Sequence, residues 1–357
     1  MLSFDRQYYE TIMKTNGYNP FEFWYFDFNL WDISAEELQL RFLCHHGLDK
    51  FVNSYKDWTK SIITTGFWMS GSPHLWTISQ LMRTLKINEA GIDTQIVLGD
   101  LDAYCGKKIE LQKVLDYSER YKNFIGKLWY TNKVWRIIRG QAEHPEILHT
   151  SYLAGAFMDD RMFDMAEEDL HDFYVAKNKV DKTMSYRRRT SLSLMIADFL
   201  DLWAGHDYCL WNTYSNVWVM LGIDEHQYVK FWEKVLENIQ KKKNIYTSLG
   251  KINLSAIYTP LIKWFNNYPK QSKSFPESSI NADSNKDEIY KKILKEEWEY
   301  DFPENSVVYQ MMAWTWNYNL DEYKKIYQAC KMKGSKRISL KKEFASYLIE
   351  LLSKREK

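Results

Sequence analysis

Lys270 and Lys273 stand three positions apart in the run Pro269-Lys270-Gln271-Ser272-Lys273-Ser274, among small hydroxyl residues. Lysine is a flexible point charge, so two of them on one loop suit a polyanion without needing a fixed fork geometry. A second group lies far upstream, where Ser70-Gly71-Ser72-Pro73-His74-Leu75 joins an apolar run to an amphipathic one. A helix beginning there offers free backbone amides and a positive dipole end, which makes Ser70, Gly71 and His74 candidates for binding phosphate. Gly222-Ile223-Asp224-Glu225 closes another apolar run, and its glycine permits close approach of backbone to a ligand. Asp198 interrupts the apolar stretch Met195–Leu200, where a buried acceptor would discriminate against a ligand lacking a matching donor. Each residue also has a plainer reading. His74 caps its helix, Asp198 satisfies a backbone amide or buried hydroxyl, Gly222 ends a strand, and the lysines decorate a solvated loop.

The elements that must position these residues follow from periodicity. Ile62–Met69 is β-branched and aromatic and reads as a buried strand. His74 to about Leu85 reads as a helix, with Leu75, Ile78, Leu81 and Met82 apolar, and Thr94–Leu98 as the next strand, ending at Gly99-Asp100. Strand, helix and strand in this order predict a βαβ unit in a parallel sheet, with ligands bound beyond the carboxyl ends of the strands. Residues 106–190 read as mostly helical, and their acidic and basic runs read as solvated faces in preference to a nucleic-acid contact. A helix through Met195–Leu200, a strand near Val217–Leu221 and a helix to about Lys243 follow. The Ser-, Pro- and Asn-rich stretch 267–287 marks a loop and domain boundary. Asp287–Tyr300 and Leu320–Lys354 read as helices, and Ser34–Glu37 has capping-box spacing ahead of a helix running to about Leu43 and stopping near Gly47. The expected fold class is α/β. It comprises a helical lead-in over 1–60, a Rossmann-like parallel-sheet nucleotide-binding domain over 61–285 with a helical insertion at about 106–190, and a helical carboxyl-terminal domain over 286–357.

Hydrophobic content of 45% and charged content of 27% belong to an ordinary globular protein. A net charge of +1 excludes coating of nucleic acid through global charge, so DNA is not an expected partner, whereas a local basic patch stays open. The four cysteines lack paired spacing, and the adjacent side chains of Cys44-His45-His46 cannot readily converge, so no metal site is predicted. No signal-peptide pattern or apolar stretch of membrane-spanning length is seen, and a reducing cytoplasm is the expected compartment.

The order Ser70–Leu75, then Lys270–Ser274, then Asp283 and Asp287–Ile293 resembles the class I aminoacyl-tRNA synthetases, specifically their tyrosyl/tryptophanyl branch. There a HIGH motif opens the first helix and a KMSKS loop closes over the phosphates of ATP. The resemblance implies that His74 contacts those phosphates and that Ser272 and Lys273 join the nucleotide site. It implies further that Lys270 and Lys273 stabilise the charge developed as an acyl-adenylate forms. Gly222-Ile223-Asp224 matches the family's Gly-x-Asp-Gln loop, and Asp198 matches the aspartate that accepts from the phenol or indole of the substrate. The implied activity is attack of an aromatic amino acid or related carboxylate on ATP, with magnesium, then transfer to tRNA or another acceptor, by a homodimer. The alternative is an inactive synthetase-like protein that binds tRNA or a protein partner. Lys331, Lys333, Lys336, Arg337, Lys341 and Lys342 with Tyr327 and Phe344 resemble the family's anticodon-binding end.

The departures are specific. Trp76 and Thr77 stand where the family has a glycine and then a histidine or asparagine, and that glycine lets adenine lie on the helix backbone. Either the nucleotide shifts, or Trp76 swings aside and stacks on it, or the site no longer takes ATP. Ser191 and Met195 replace the tyrosine and glutamine that hold the substrate amino group, and Glu225 replaces the glutamine of Gly-x-Asp-Gln.

Overall fold

The computed structural model describes residues 5–21, 40–128, 136–204, 214–242, 252–263, 265, 269–295, 303–315, 319–332 and 334–353. Seven strands form one sheet: β1 (Asn19–Pro20), β2 (Cys44–His46), β3 (Ser61–Trp68), β4 (Asp93–Gly99), β5 (Arg136–Gly140), β6 (Asn216–Gly222) and β7 (Asn253–Thr259). Their order is β1-β2-β7-β6-β3-β4-β5. The five from β7 to β5 run parallel, and β2 and β1 close one edge antiparallel. The chain winds outward from β3 to β5 on one side and then to β6 and β7 on the other, so the strand order reverses at β3 and β6. Such a switch point opens a crevice at the carboxyl ends of its strands. Those ends are Trp68 and Gly222.

The sequence dictates much of this. All seven residues of β6 are buried, as are six of seven in β4, the unbroken apolar pattern of strands covered on both faces. The first crossover helix is Leu75–Glu89, four residues longer than its periodicity indicated, and His74 is its N-cap. Helices Asp100–Lys107, Leu111–Lys127 and Tyr186–Ala204 cover the β4 side, and His226–Lys241 links β6 to β7. Among the described residues, three large buried clusters line the sheet, one of them holding Phe51, Ile63 and Trp218; two others flank it. One centres on Trp232, Phe199 and Val219, the other on Ile78, Leu98 and Met312.

Several readings of elements change. The lead-in is not helical throughout, because Asn19–Pro20 and Cys44–His46 pair into the sheet. Its capping box, Ser34–Glu37, lies outside the described residues. The segment 106–190 includes β5, which pairs with β4 from Thr94 opposite Arg136 to Leu98 opposite Gly140. β7 is a further strand that periodicity did not single out. At the far end Gly334 adopts φ +119 and divides the expected long helix into Leu320–Lys331 and Ser335–Ser353. Cys44 and His45 are buried in β2, while His46 pairs with Glu233 at 2.7 Å.

Candidate functional site

The lysine loop, the start of helix Leu75–Glu89 and the end of β6 meet at the switch point. Backbone bonds stitch the first two together: Leu75 donates to the Ile280 carbonyl at 3.1 Å, and Ala282 to that of Pro73 at 2.8 Å. A Cβ on Gly71 would stand 3.3 Å from that of Lys273, so the loop packs closely on the Ser70-Gly71 junction and a side chain there would require it to give by a few tenths of an ångström. Ser70 donates its own amide to the Trp68 carbonyl. Ser272 is buried and accepts from the Tyr174 hydroxyl at 3.2 Å.

Both lysines are engaged by the protein itself. The Lys270 ammonium pairs with Asp224 Oδ2. Burial opposes its charge, but Asp224, Tyr174, Glu168 and Glu225 outweigh burial and raise its pKa well above the ordinary value. Lys273 donates to the Trp68 carbonyl at 2.6 Å and lies over the rings of Tyr121 and Phe67. Burial lowers its pKa to about 7. His74 uses Nδ1 to accept from the Thr77 amide at 3.2 Å, and the Thr77 hydroxyl lies 2.8 Å from the same nitrogen. Buried and next to Lys273, its imidazole is driven down to about 3 and is neutral at pH 7.

Trp76 decides the nucleotide half. A Cβ built on Gly222 would stand 2.9 Å from the indole Cζ2, 3.1 Å from the Leu261 side chain and 2.6 Å from Asp224 Oδ1. The open face of Gly222 is therefore covered by the indole, and the indole Nε1 is buried without a hydrogen-bond partner. The resemblance put adenine against the backbone of this helix, with Gly222 closing on the nucleotide. Here a tryptophan ring takes up the glycine's free face, and Lys270 neutralises Asp224 beneath it. Among the described residues no cluster of three or more His, Cys, Asp or Glu is placed to hold a metal ion.

The ring half is open. A cavity of about 40 Å³ is lined by Trp68, Asp102, Met195, Asp198, Glu225 and Tyr228 with their neighbours. Gln141 bridges two of its carboxylates, its Nε2 donating to Asp198 Oδ2 at 2.7 Å and to Asp102 Oδ2 at 2.8 Å. Asp198 Oδ1 is buried and has no partner. Burial lifts Asp198 to about 7 despite Arg139 and Gln141. Burial and the neighbouring Asp198 charge hold Asp102 well above the carboxylate range. Glu225 is pushed to about 8 by burial and by Asp224. Ser191 is buried behind Asp102, with its Oγ 3.3 Å from Asp102 Oδ1.

The structure thus gathers Ser70, Gly71, His74, Trp76, Gly222, Asp224, Lys270, Ser272 and Lys273 in one half of the crevice. Asp198, Met195 and Glu225 line the other, and Ser191 lies just behind it. The sequence reading missed Asp102 and Gln141. Asp102 stands two residues past the Gly99-Asp100 strand end already noted, a usable signal, whereas Gln141 follows a strand that was not recognised. The carboxyl-terminal basic cluster differs from its reading as a stacking surface. Phe344 is fully buried, Lys341 is buried, Lys331 lies over the Tyr327 ring at 4.6 Å, and Arg337 donates to the Cys330 carbonyl at 2.7 Å. Lys333 lies outside the described residues.

Comparisons place this arrangement among known proteins. Residues 56–353 match the family model described as tRNA synthetases class I (W and Y). A search of curated proteins finds no match. Among solved structures, the chain is similar to the tryptophanyl-tRNA synthetase of the hyperthermophilic archaeon Aeropyrum pernix K1, with a TM-score of 0.75 at 15% identity over 98% of this chain and 93% of that one. It is also similar to the tryptophan-bound tryptophanyl-tRNA synthetase of Encephalitozoon cuniculi, with a TM-score of 0.70 at 16% identity over 98% and 94%. The tyrosyl-tRNA synthetase of Aeropyrum pernix aligns with a TM-score of 0.61 at 16% identity over 90% and 89%. With the family model spanning most of its length, the chain belongs to the class I tRNA synthetases of the tryptophanyl and tyrosyl type.

Proposed function

We propose that this chain is a synthetase-like protein that binds a ring-bearing carboxylate in the Asp198 pocket and does not form an adenylate with ATP. The observation that carries this reading is Trp76 against Gly222, which puts an indole on the wall where adenine would lie. The ring pocket supports the binding half, because an unpartnered buried acceptor rejects ligands that lack a matching donor. The test is pyrophosphate exchange with ATP across the aromatic amino acids and a set of carboxylic acids, together with thermal shifts. Wild type is expected to give no exchange and no ATP-induced shift. Trp76→Gly is expected to gain an ATP-induced shift. Exchange by the wild type would overturn the proposal.

A second reading, ATP-dependent activation with transfer to tRNA, has one observation in its favour. His74, Gly71, Lys270 and Lys273 remain assembled around one junction, although the lysines now face protein acceptors. On that reading Lys270→Ala abolishes exchange that the wild type displays.

A further inference from the structure

Helix Arg6–Asn16 buries none of its own residues. Asp5 caps its start, accepting from the Tyr8 amide at 3.0 Å, and Gly17 ends it in the left-handed region at φ +66. Beyond Gly17 the chain is held firmly. Tyr18 is buried with its hydroxyl 2.9 Å from His226 Nδ1, and Asn19–Pro20 pairs into the sheet. The helix is therefore fixed at its carboxyl end, and the glycine leaves that joint free to turn.

Two adjacent tyrosines fasten the rest of it. The Tyr8 hydroxyl donates to Asp169 Oδ2, and the Tyr9 oxygen accepts from the Leu261 amide at 3.1 Å. Lys230 meets Asn16 at the last turn. Each tyrosine's partner is one contact away from the closed nucleotide half. The Asp169 amide donates to the Asp224 carbonyl at 3.3 Å, and Asp224 in turn holds Lys270. Leu261 is buried, and its side chain would stand 3.1 Å from a Cβ on Gly222, the glycine on which the Trp76 indole closes. Burial raises the pKa of both phenols, and the charge of Asp224 adds to each shift, so both hydroxyls lie within electrostatic reach of that carboxylate. Two routes thus run from one helix to the two segments that shut the crevice.

The hold is light. Tyr8, Tyr9, Ile12 and Met13 are only partly buried against the core, so little apolar area opposes lifting the helix. The shut state is also incompletely satisfied, because Trp76 Nε1, Gln80 Oε1 and Asp224 Oδ1 are buried without hydrogen-bond partners. Such atoms cost free energy where they lie and favour an arrangement in which they pair.

We propose that helix Arg6–Asn16 is a strap that holds the nucleotide half shut. Tyr8 and Tyr9 position Asp224 and Gly222 through Asp169 and Leu261, and lifting the helix about Gly17 frees the lysine loop. This rests on the closed nucleotide half that underlies the reading above and adds what keeps it closed.

The experiment is peptide-level hydrogen exchange on the full chain, read by mass spectrometry, with acetylation of lysines as a second readout. Tyr8→Phe/Tyr9→Phe removes both hydroxyl bonds and keeps both rings. The loss of two such bonds is expected to speed exchange at least about 10-fold in peptides covering 6–16, 222–225 and 270–275, with a matching rise in acetylation of Lys270. Peptides from β3 and β4 are expected to exchange as in wild type. Asp5→Ala, which removes only the helix cap, is expected to speed the same three regions by a smaller factor. If 6–16 loosens while 222–225 and 270–275 keep their wild-type rates, the strap holds nothing and the inference is overturned. Unchanged exchange throughout, or acceleration spread equally over β3 and β4, overturns it as well. No nucleotide is present, so the outcome is read apart from pyrophosphate exchange, which tests the proposed function.

Discussion

Asp198 lines the ring cavity with one carboxylate oxygen held by Gln141 and the other unpartnered, and this gives it a pH signature. Burial raises its pKa from 3.8 to about 7. Between those values the folded chain holds a proton that the unfolded chain has released, so the folded state binds more protons. The contribution of this group to stability is therefore full below about pH 4 and is lost as the pH rises through 7. Asp198→Asn is expected to flatten that part of the pH–stability curve, measured by urea unfolding at pH 5 and pH 8. Affinity for a ring donor runs the other way. An N–H or O–H donor prefers the ionised acceptor, so wild-type affinity is expected to rise from pH 6 to pH 8 and the asparagine variant to lose that dependence. Calorimetry of the same ligand at both pH values checks this. A wild-type affinity that falls over this range would refute the role of Asp198. Trp76 is the residue-scale counterpart on the nucleotide side. Its identity was legible in the sequence, whereas the surface its ring covers was not.

At the scale of elements, the ring pocket depends on how β5 is fastened. Arg139 donates to Asp201 Oδ2 at 2.8 Å, and Thr150 donates to the other oxygen at 2.9 Å. This ties β5, helix Glu146–Ala154 and helix Tyr186–Ala204 together in the fully buried interior. Removing one partner of such a pair leaves an uncompensated charge, so Asp201→Ala is expected to cost about 3–5 kcal/mol in denaturant unfolding. The carboxyl-terminal helices give a second case. Phe344 reads from its neighbours as a stacking platform beside basic residues, but it is fully buried against the core that contains Leu348 and Met312. Phe344→Ala is expected to lower stability by about 3–5 kcal/mol. The RNA affinity of the folded fraction is expected to stay unchanged. A selective loss of tRNA binding with stability intact would restore the platform reading. The helix boundaries illustrate why local reading reaches only so far. The capping box Asn319-x-x-Glu322 and the left-handed turn at Gly334 end and start helices by local hydrogen bonds and backbone strain, whereas the pairing of β5 to β4 is a contact between distant segments.

Across the whole molecule, a net charge of +1 supplies no global basic field, and among the described residues of the carboxyl-terminal cluster Lys341 is buried and Arg337 is tied to the Cys330 carbonyl. Filter binding to total tRNA at two salt concentrations is expected to give only non-specific affinity with a steep salt slope. Tight binding that survives the higher salt would favour the activating reading instead.

The sequence by itself determined the parallel α/β core, the helix beginning at His74, the loop lysines and the family resemblance, because each is written in local periodicity or in motif order. The tertiary structure alone decided which groups satisfy one another at the switch point. Trp76 covers Gly222, Asp224 takes Lys270, and Gln141 joins Asp102 to Asp198. These partners come from strands and loops far apart in the chain. Their meeting is set by the winding of the sheet outward from β3 and β6, a geometry to which no local pattern of residues has access.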